Sequence, residues 1–229
     1  MAQLLLVEDD TVLAEALARA LTALGHEVTV AHTGELALEQ LFDHRTPTDL
    51  VLLDVMLPGI DGFEVCRKIR AKSTVPVVLL TARGDPVDMV VGLEGGADDY
   101  VVKPAEPRVL DARVKTILRR TSTSAAPQHA VHTFGDLTID AEAMIVTKDG
   151  DELHLTSTEM RLLLEFADHV GQVLTRQTLL KRVWDYGFAG DSRLVDAAVA
   201  RLRAKIEPDP GNPTLLRTAR GLGYRLVKP

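Results

Sequence analysis

Five short apolar runs, each followed by a stretch with helical spacing, fill the first 120 residues and leave few ways to fold them. The runs fall at 4–7, 27–31, 50–53, 77–80 and 99–102, and the helical patterns at 11–24, 34–43, 61–70, 86–95 and 106–120. Short Val- and Leu-rich runs bounded by Gly, Pro and acids read as buried strands. Their alternation with helices predicts an α/β unit, a doubly wound five-stranded parallel sheet covered on both faces. In such sheets functional residues collect at the carboxyl ends of the strands, near the point where strand order reverses.

Those ends carry chemistry. The first run stops at Glu8-Asp9-Asp10, the third at Asp54, the fourth at Thr81 and the fifth at Lys103-Pro104. Taken singly, an acid at a strand end is an ordinary loop residue. Gathered together, Glu8, Asp9 and Asp54 repel, and one would be protonated unless a cation joined them. Mg²⁺ resolves the conflict, because it takes oxygen ligands and keeps waters and phosphoryl oxygens in its shell. A carboxylate can then accept a phosphoryl group while Lys103 and Thr81 meet its oxygens.

Charge distribution matters more than its total of −7. The acids dominate up to residue 175, whereas residues 176–229 hold 11 bases against 5 acids. The last quarter is therefore the basic part, suited to nucleic acid. Cys66 is the single cysteine, no signal-peptide pattern opens the chain, and no apolar stretch nears the roughly 18 residues of a membrane span. These features predict a cytoplasmic protein without an internal disulfide or a membrane partner.

The run from Arg119 to His129, small and polar with Ala and Pro, reads as a linker. The expected division is 1–120, a linker at 121–130, and a second domain at 131–229. Short alternating segments at 134–140, 143–148 and 152–156 follow, with Asp149-Gly150 as a hairpin turn. Thr156-Ser157-Thr158-Glu159 opens a helix with a capping box. A second helix runs from Thr175 to about Trp184, a third from about Ser192 to Ile206, and a hairpin closes the chain. On the third helix Val195, Ala198, Val199, Leu202 and Ile206 form one face. Arg193, Ala197, Ala200, Arg201 and Ala204 form the other, where arginines can read guanine edges or phosphates and alanines allow close approach. Arg203 and Lys205 are expected at phosphates. A helix bearing arginines is more often a solvated face; the glycine-flanked Arg220 in the closing hairpin, suited to a minor groove, shifts the balance.

Residues 2–120 resemble the receiver domain of two-component response regulators. The matching motifs are Val7-Glu8-Asp9-Asp10, Leu53 to Gly59 with Asp61-Gly62, Leu80-Thr81-Ala82-Arg83, and Gly96 to Pro104. That resemblance implies Asp54 as phospho-acceptor from a sensor histidine kinase, with Mg²⁺ held by Asp54, Asp9, the Met56 carbonyl and, through water, Glu8. It implies Thr81 and Tyr100 as a coupled switch pair, Lys103 as phosphoryl partner, and a cis Lys103-Pro104 bond. Residues 131–229 resemble the winged helix-turn-helix output domain of the OmpR/PhoB class, through Leu155 to Glu159, Val173 to Arg176, Leu179 to Trp184, Val195-Asp196, Arg201 to Ile206 and Arg220 to Arg225. Helix 192–206 would be its recognition helix, Arg220 its minor-groove residue, Thr218 a phosphate contact, and 185–191 the loop that meets RNA polymerase. Phosphorylation would promote a homodimer on double-stranded DNA through Met89, Asp98, Asp99, Val109, Arg113 and Arg120.

Departures from the family pattern are informative. Ala198 and Ala200 replace more polar residues, which leaves direct base reading to Arg193 and Arg201. Ala105 replaces an aromatic after Lys103-Pro104. Met89 and Val109 stand where a cross-dimer ion pair is usual, so an apolar contact is expected there. Two other classes compete with the regulator. An aspartyl-phosphate enzyme needs a second acid two residues past the nucleophile, where Met56 stands, so no enzyme activity is expected beyond the protein's own phosphorylation and dephosphorylation. A DNA-binding regulator without a phosphate switch would not need Glu8, Asp9, Asp54, Thr81 and Lys103 intact.

Overall fold

The computed structural model describes residues 1–81, 92–93, 95–122, 131–184 and 191–228, and residues 119–122 by their backbone alone. The chain divides into two compact units, Met1–Leu118 and Arg119–Pro229.

The first unit holds strands β1 (Gln3–Val7), β2 (Glu27–Ala31), β3 (Leu50–Asp54), β4 (Val77–Thr81) and β5 (Asp99–Val102), with helices α1 (Thr11–Ala23), α2 (Gly34–Phe42), α3 (Gly62–Arg70) and α4 (Pro107–Ser122). All strand pairs are parallel, in the order β2-β1-β3-β4-β5. The side-chain period of two sorts this sheet. Leu4, Leu6, Leu50, Leu52, Val78, Leu80 and Val101 pack with Leu17 and Leu21 of α1 and Leu110, Val114 and Ile117 of α4. The alternate set, including Leu5, Val51, Leu53 and Leu79, is equally buried, as are Ala37 of α2 and Val65 and Ile69 of α3. Order reverses between β1 and β3, which places the ends of those two strands at the switch point. The helix expected at 86–95 falls almost wholly outside the described residues. Helix α4 continues through Ser122, past the expected start of the linker, whose residues 123–130 also lie outside.

The second unit opens with a four-stranded antiparallel sheet, β6 (Val131–Phe134), β7 (Leu137–Asp140), β8 (Ile145–Lys148) and β9 (Asp151–Glu152). Residues 134–140, expected as one segment, are two strands. Gly135 at φ 64 turns the chain between them. Asp149 and Gly150 have φ 54 and 89, the paired positive values of a tight hairpin. Helix α5 (Ser157–Ala167), strand β10 (Leu174–Thr175), helices α6 (Arg176–Trp184) and α7 (Arg193–Ile206), and strands β11 (Leu216–Ala219) and β12 (Gly223–Leu226) follow; the three strands form a sheet in the order β10-β12-β11. The capping box forms as the sequence predicts: Glu159 N donates to Thr156 Oγ1, and Thr156 N to a Glu159 carboxylate oxygen. Among the described residues no helix is long and apolar enough to cross a membrane.

Candidate functional site

Local chemistry decides which acids reach the switch point. Asp10 is the N-cap of α1; its carboxylate accepts from the backbone N–H groups of Val12 and Leu13 at 2.9 and 3.0 Å. That leaves Glu8 and Asp9, which meet Asp54 from the end of β3. One ligand oxygen from each of Glu8, Asp9 and Asp54 lies within 4.8 Å of the others. Glu8 and Asp54 are buried and Asp9 is exposed, so the cluster has one open side. Behind Asp54 the backbone is closely fitted. Gly62 N donates to Val55 O at 3.0 Å, and a Cβ at Gly62 would lie 2.1 Å from the Asp54 carbonyl oxygen. Met56, two residues past Asp54, leaves its side chain exposed.

Lys103 reaches into the cluster from the end of β5. Its Nζ lies 2.6 Å from Glu8 Oε2 and 3.0 Å from Asp54 Oδ2. Burial alone would lower its pKa, but the two carboxylates outweigh that and raise it above the ordinary lysine value. Burial pushes the Glu8 carboxyl up, Asp54's charge adds to the push, and the Lys103 hydrogen bond does not fully offset it. Two like charges about 4 Å apart repel by about 4 kcal/mol at an effective dielectric of about 20. Three carboxylates make three such pairs and Lys103 supplies two close attractions, so an excess of negative charge remains. Among the described residues, Asp54 Oδ1 is buried with no hydrogen-bond partner. An all-oxygen donor set, an orphaned carboxylate oxygen and an open side together fit a hard divalent cation.

Thr81 ends β4, one residue past Leu80, the register partner of Asp54. It pairs with Val102 across β5, two residues from the half-buried Tyr100, so Thr81 and Tyr100 lie on one face of the sheet. The Lys103-Pro104 bond is cis. Ala105 with Leu13, Leu17, Leu80, Lys103 and Pro104 lines a cleft of about 300 Å³ beside the Lys103 stem.

The expected dimer residues are distributed unevenly. Val109 is exposed. Asp98 is only 1 % exposed, held by Arg70 at 2.7 Å and the Val77 N–H at 3.0 Å. Asp99 is buried with Arg113 3.6 Å away in the same chain. Met89, the Arg120 side chain, and 185–190 of the polymerase loop lie outside the described residues.

In the second unit the structure departs from the expected reading face. Ala197 is buried, because α7 is covered by α5 and α6 over a wider arc than its heptad-like stripe suggests, and Leu194 joins that core. Ala200 and Ala204 remain exposed. The bases of α7 turn back on the protein. Lys205 Nζ lies 2.7 Å from Glu159 and Arg201 Nε 3.4 Å from it. Arg203 donates to Leu216 O at 2.9 Å and to Thr218 Oγ1 at 2.8 Å, with its guanidinium over the Tyr224 ring. Arg193 is paired with Asp191 at 2.6 Å. On the hairpin, Arg217, Thr218 and Arg220 are exposed.

Sequence reasoning missed the groups that receive these bases. Burial would raise the Glu159 carboxyl, but Lys205, the Thr156 N–H and Arg201 together hold it below the usual carboxylate range. Asp196 Oδ1 accepts from Arg176 at 2.7 Å and from the Tyr224 hydroxyl at 2.6 Å. Burial and the neighbouring Asp196 push the Tyr224 phenol up to about 12. Glu207 accepts from the N–H groups of Thr214, Leu215 and Leu216, fixing the start of β11. These partners lie up to 46 residues apart, and only the Thr156–Glu159 spacing was a local signal.

Comparison with known proteins agrees with both halves. Residues 4–115 match the response regulator receiver domain, and residues 150–226 the C-terminal domain of transcriptional regulatory proteins. The transcriptional regulatory protein AfsQ1 of Streptomyces coelicolor is 56 % identical over 229 residues, all of both chains. The DNA-binding response regulator MtrA of Mycobacterium tuberculosis H37Rv is 46 % identical, over 99 % of this chain and 97 % of its own. Among solved structures, DrrB, an OmpR/PhoB homologue of Thermotoga maritima, is 36 % identical with a TM-score of 0.51, covering 99 % of each chain. Likeness that runs end to end through both units places the chain in the OmpR/PhoB family of two-component response regulators, as a DNA-binding transcriptional regulator.

Proposed function

We propose that DNA binding by this regulator is controlled by phosphorylation of Asp54 from a sensor histidine kinase in the cytoplasm. The observation that carries this reading is the buried Oδ1 of Asp54, unpartnered among the described residues, beside a lysine already 3.0 Å from its other oxygen. The carboxylate attacks the phosphorus of a phosphohistidine, the P–N bond breaks, and the departing imidazole takes up a proton. Lys103 stands ready to meet a phosphoryl oxygen, and Glu8, Asp9, Asp54 and the Met56 carbonyl would hold Mg²⁺. When bound, that ion supplies positive charge against the transferring oxygens. The protein performs only its own phosphorylation and dephosphorylation.

A phosphoryl group replaces one negative charge with nearly two and adds acceptor oxygens. Thr81 can donate to them, and the space it leaves can take Tyr100. Moving a two-state equilibrium about 10²-fold needs about 2.7 kcal/mol, within the reach of two charge-assisted hydrogen bonds. A homodimer would form through the face of Asp99, Val109 and Arg113 with Asp98 behind it, to which the family likeness would add Met89 and Arg120. Two tethered winged helices then bind repeat sites on double-stranded DNA. Linkage alone can raise avidity by roughly 10²–10⁴-fold. Arg193, Ala200, Arg201 and Arg220 would face the grooves and Thr218 the backbone, with Arg203, expected at a phosphate from the sequence, bonded to Thr218 behind it; Ala197 would pack beneath them, and loop 185–191 would meet RNA polymerase.

The test is DNA affinity on direct-repeat duplexes with and without beryllofluoride and Mg²⁺. Beryllofluoride should raise wild-type affinity and leave Asp54→Ala unchanged. Equal affinity for both proteins under all conditions would reject phospho-control.

A further inference from the structure

We infer that Leu222, at the tip of the β11–β12 hairpin, is an apolar wedge that presses into the minor groove of bound DNA and bends it; this rests on the reading of the second unit as the DNA-binding part. Leu222 is 62 % exposed, whereas Tyr224 and Leu226 of the same hairpin are buried. Strand alternation would send Leu222 to their side. It overhangs instead, because the strand ends at Gly223 and the tip is held outward. A Cβ at Gly223 would lie 2.0 Å from the Leu174 carbonyl oxygen, so the hairpin base is fitted closely against β10. Leu222 N donates to Ala219 O at 2.9 Å, closing a turn through Gly221 at φ +72.

A lone exposed leucine is ordinary. Its surroundings single this one out. Arg217 and Arg220 are exposed on the same hairpin, and no acid follows Asp209 in the chain. A cationic hairpin with an apolar end complements an anionic groove floored by stacked bases. Apolar side chains entering a minor groove beside arginine unstack a base step and bend the duplex. The two residues would differ in kind. Arg220 neutralises phosphate charge and releases counterions, giving a salt-dependent term, whereas Leu222 adds a contact that salt does not screen.

The experiment uses the full chain with beryllofluoride and Mg²⁺, on end-labelled duplexes recovered by selection with the wild type. Leu222 is exposed, so its variants should melt with the wild type. Leu222→Ala should weaken binding about tenfold and lower the bend read by energy transfer, with the salt slope unchanged. Leu222→Phe should restore both, and Arg220→Ala should reduce the salt slope by about one. Wild-type affinity and bend in Leu222→Ala would overturn the wedge, as would weaker binding with the bend intact. A wild type that binds no duplex would remove the DNA-binding reading and the wedge with it.

Discussion

The two charged regions of this molecule solve opposite problems. At the carboxyl edge of the parallel sheet, like charges converge and, among the described residues, remain incompletely compensated: three acids, one lysine, and a carboxylate oxygen with no partner. On α7, bases that the sequence offered to DNA are engaged within the protein by Glu159, Leu216, Thr218 and Asp191. Incomplete compensation marks the place where something from outside must bind. Internal pairing instead fixes where each base stands on α7, the helix proposed above to enter DNA.

The contrast can be broken most directly at Asp54. Asp54→Asn should abolish labelling by acetyl phosphate with Mg²⁺, followed by intact mass. Labelling equal to wild type would place the acceptor elsewhere and dissolve the distinction. Next in size is Glu159→Ala, which takes the carboxylate from Lys205 and Arg201 and removes the half of the α5 capping box that accepts from the Thr156 N–H. A loss of about 3 kcal/mol is expected at pH 7 in chemical denaturation followed by Trp184 fluorescence. The folded pKa of Glu159 is lowered, so its contribution is present above the ordinary 4.5 and fades as pH falls through the folded value. Variant and wild type should therefore converge in acid.

A sharper comparison sets two arginines against each other. Arg203→Ala should cost about 1–2 kcal/mol of stability while leaving the salt slope of DNA binding nearly unchanged. Arg220→Ala should do the reverse, as the slope test above reads. A salt slope that falls with Arg203→Ala would show that its internal bonds open when DNA arrives. The smallest effect concerns Tyr224. Its folded pKa is raised from 10 to about 12, so the stabilisation is full below pH 10 and is lost as pH rises toward 12. Tyr224→Phe should lose about 1 kcal/mol at pH 8 and lack this alkaline decline in a denaturation series.

Legibility in the sequence followed the range of the physics. Strands β1, β3 and β4 were readable because burial on both sheet faces writes a continuous apolar run, and Asp54 and Thr81 because they interrupt those runs. The capping box at Thr156 and the turn at Asp149-Gly150 are local and were equally plain. Gly135 was passed over: a two-residue turn inside an alternating segment barely disturbs the pattern. The outward face of α7 was misjudged because an arginine at a helix position does not say whether its long side chain bends back. That answer depends on Glu159, 42 residues before Arg201, and on a hairpin that follows the helix. Asp98 raises the same difficulty, since Arg70 that holds it lies at the end of α3, 28 residues earlier.

The fit at Gly62 has a consequence for how the proposed phospho-acceptor, Asp54, can be placed. The helix that follows the acceptor strand starts so close to the Asp54 backbone that a single extra methyl would strike the acceptor's own carbonyl. Position 62 therefore tolerates one letter of the amino-acid alphabet for a reason remote from reactivity: any side chain there shoves the aspartate out of alignment. Gly62 is thereby as indispensable to the placing of Asp54 as Lys103, whose Nζ lies 3.0 Å from its carboxylate.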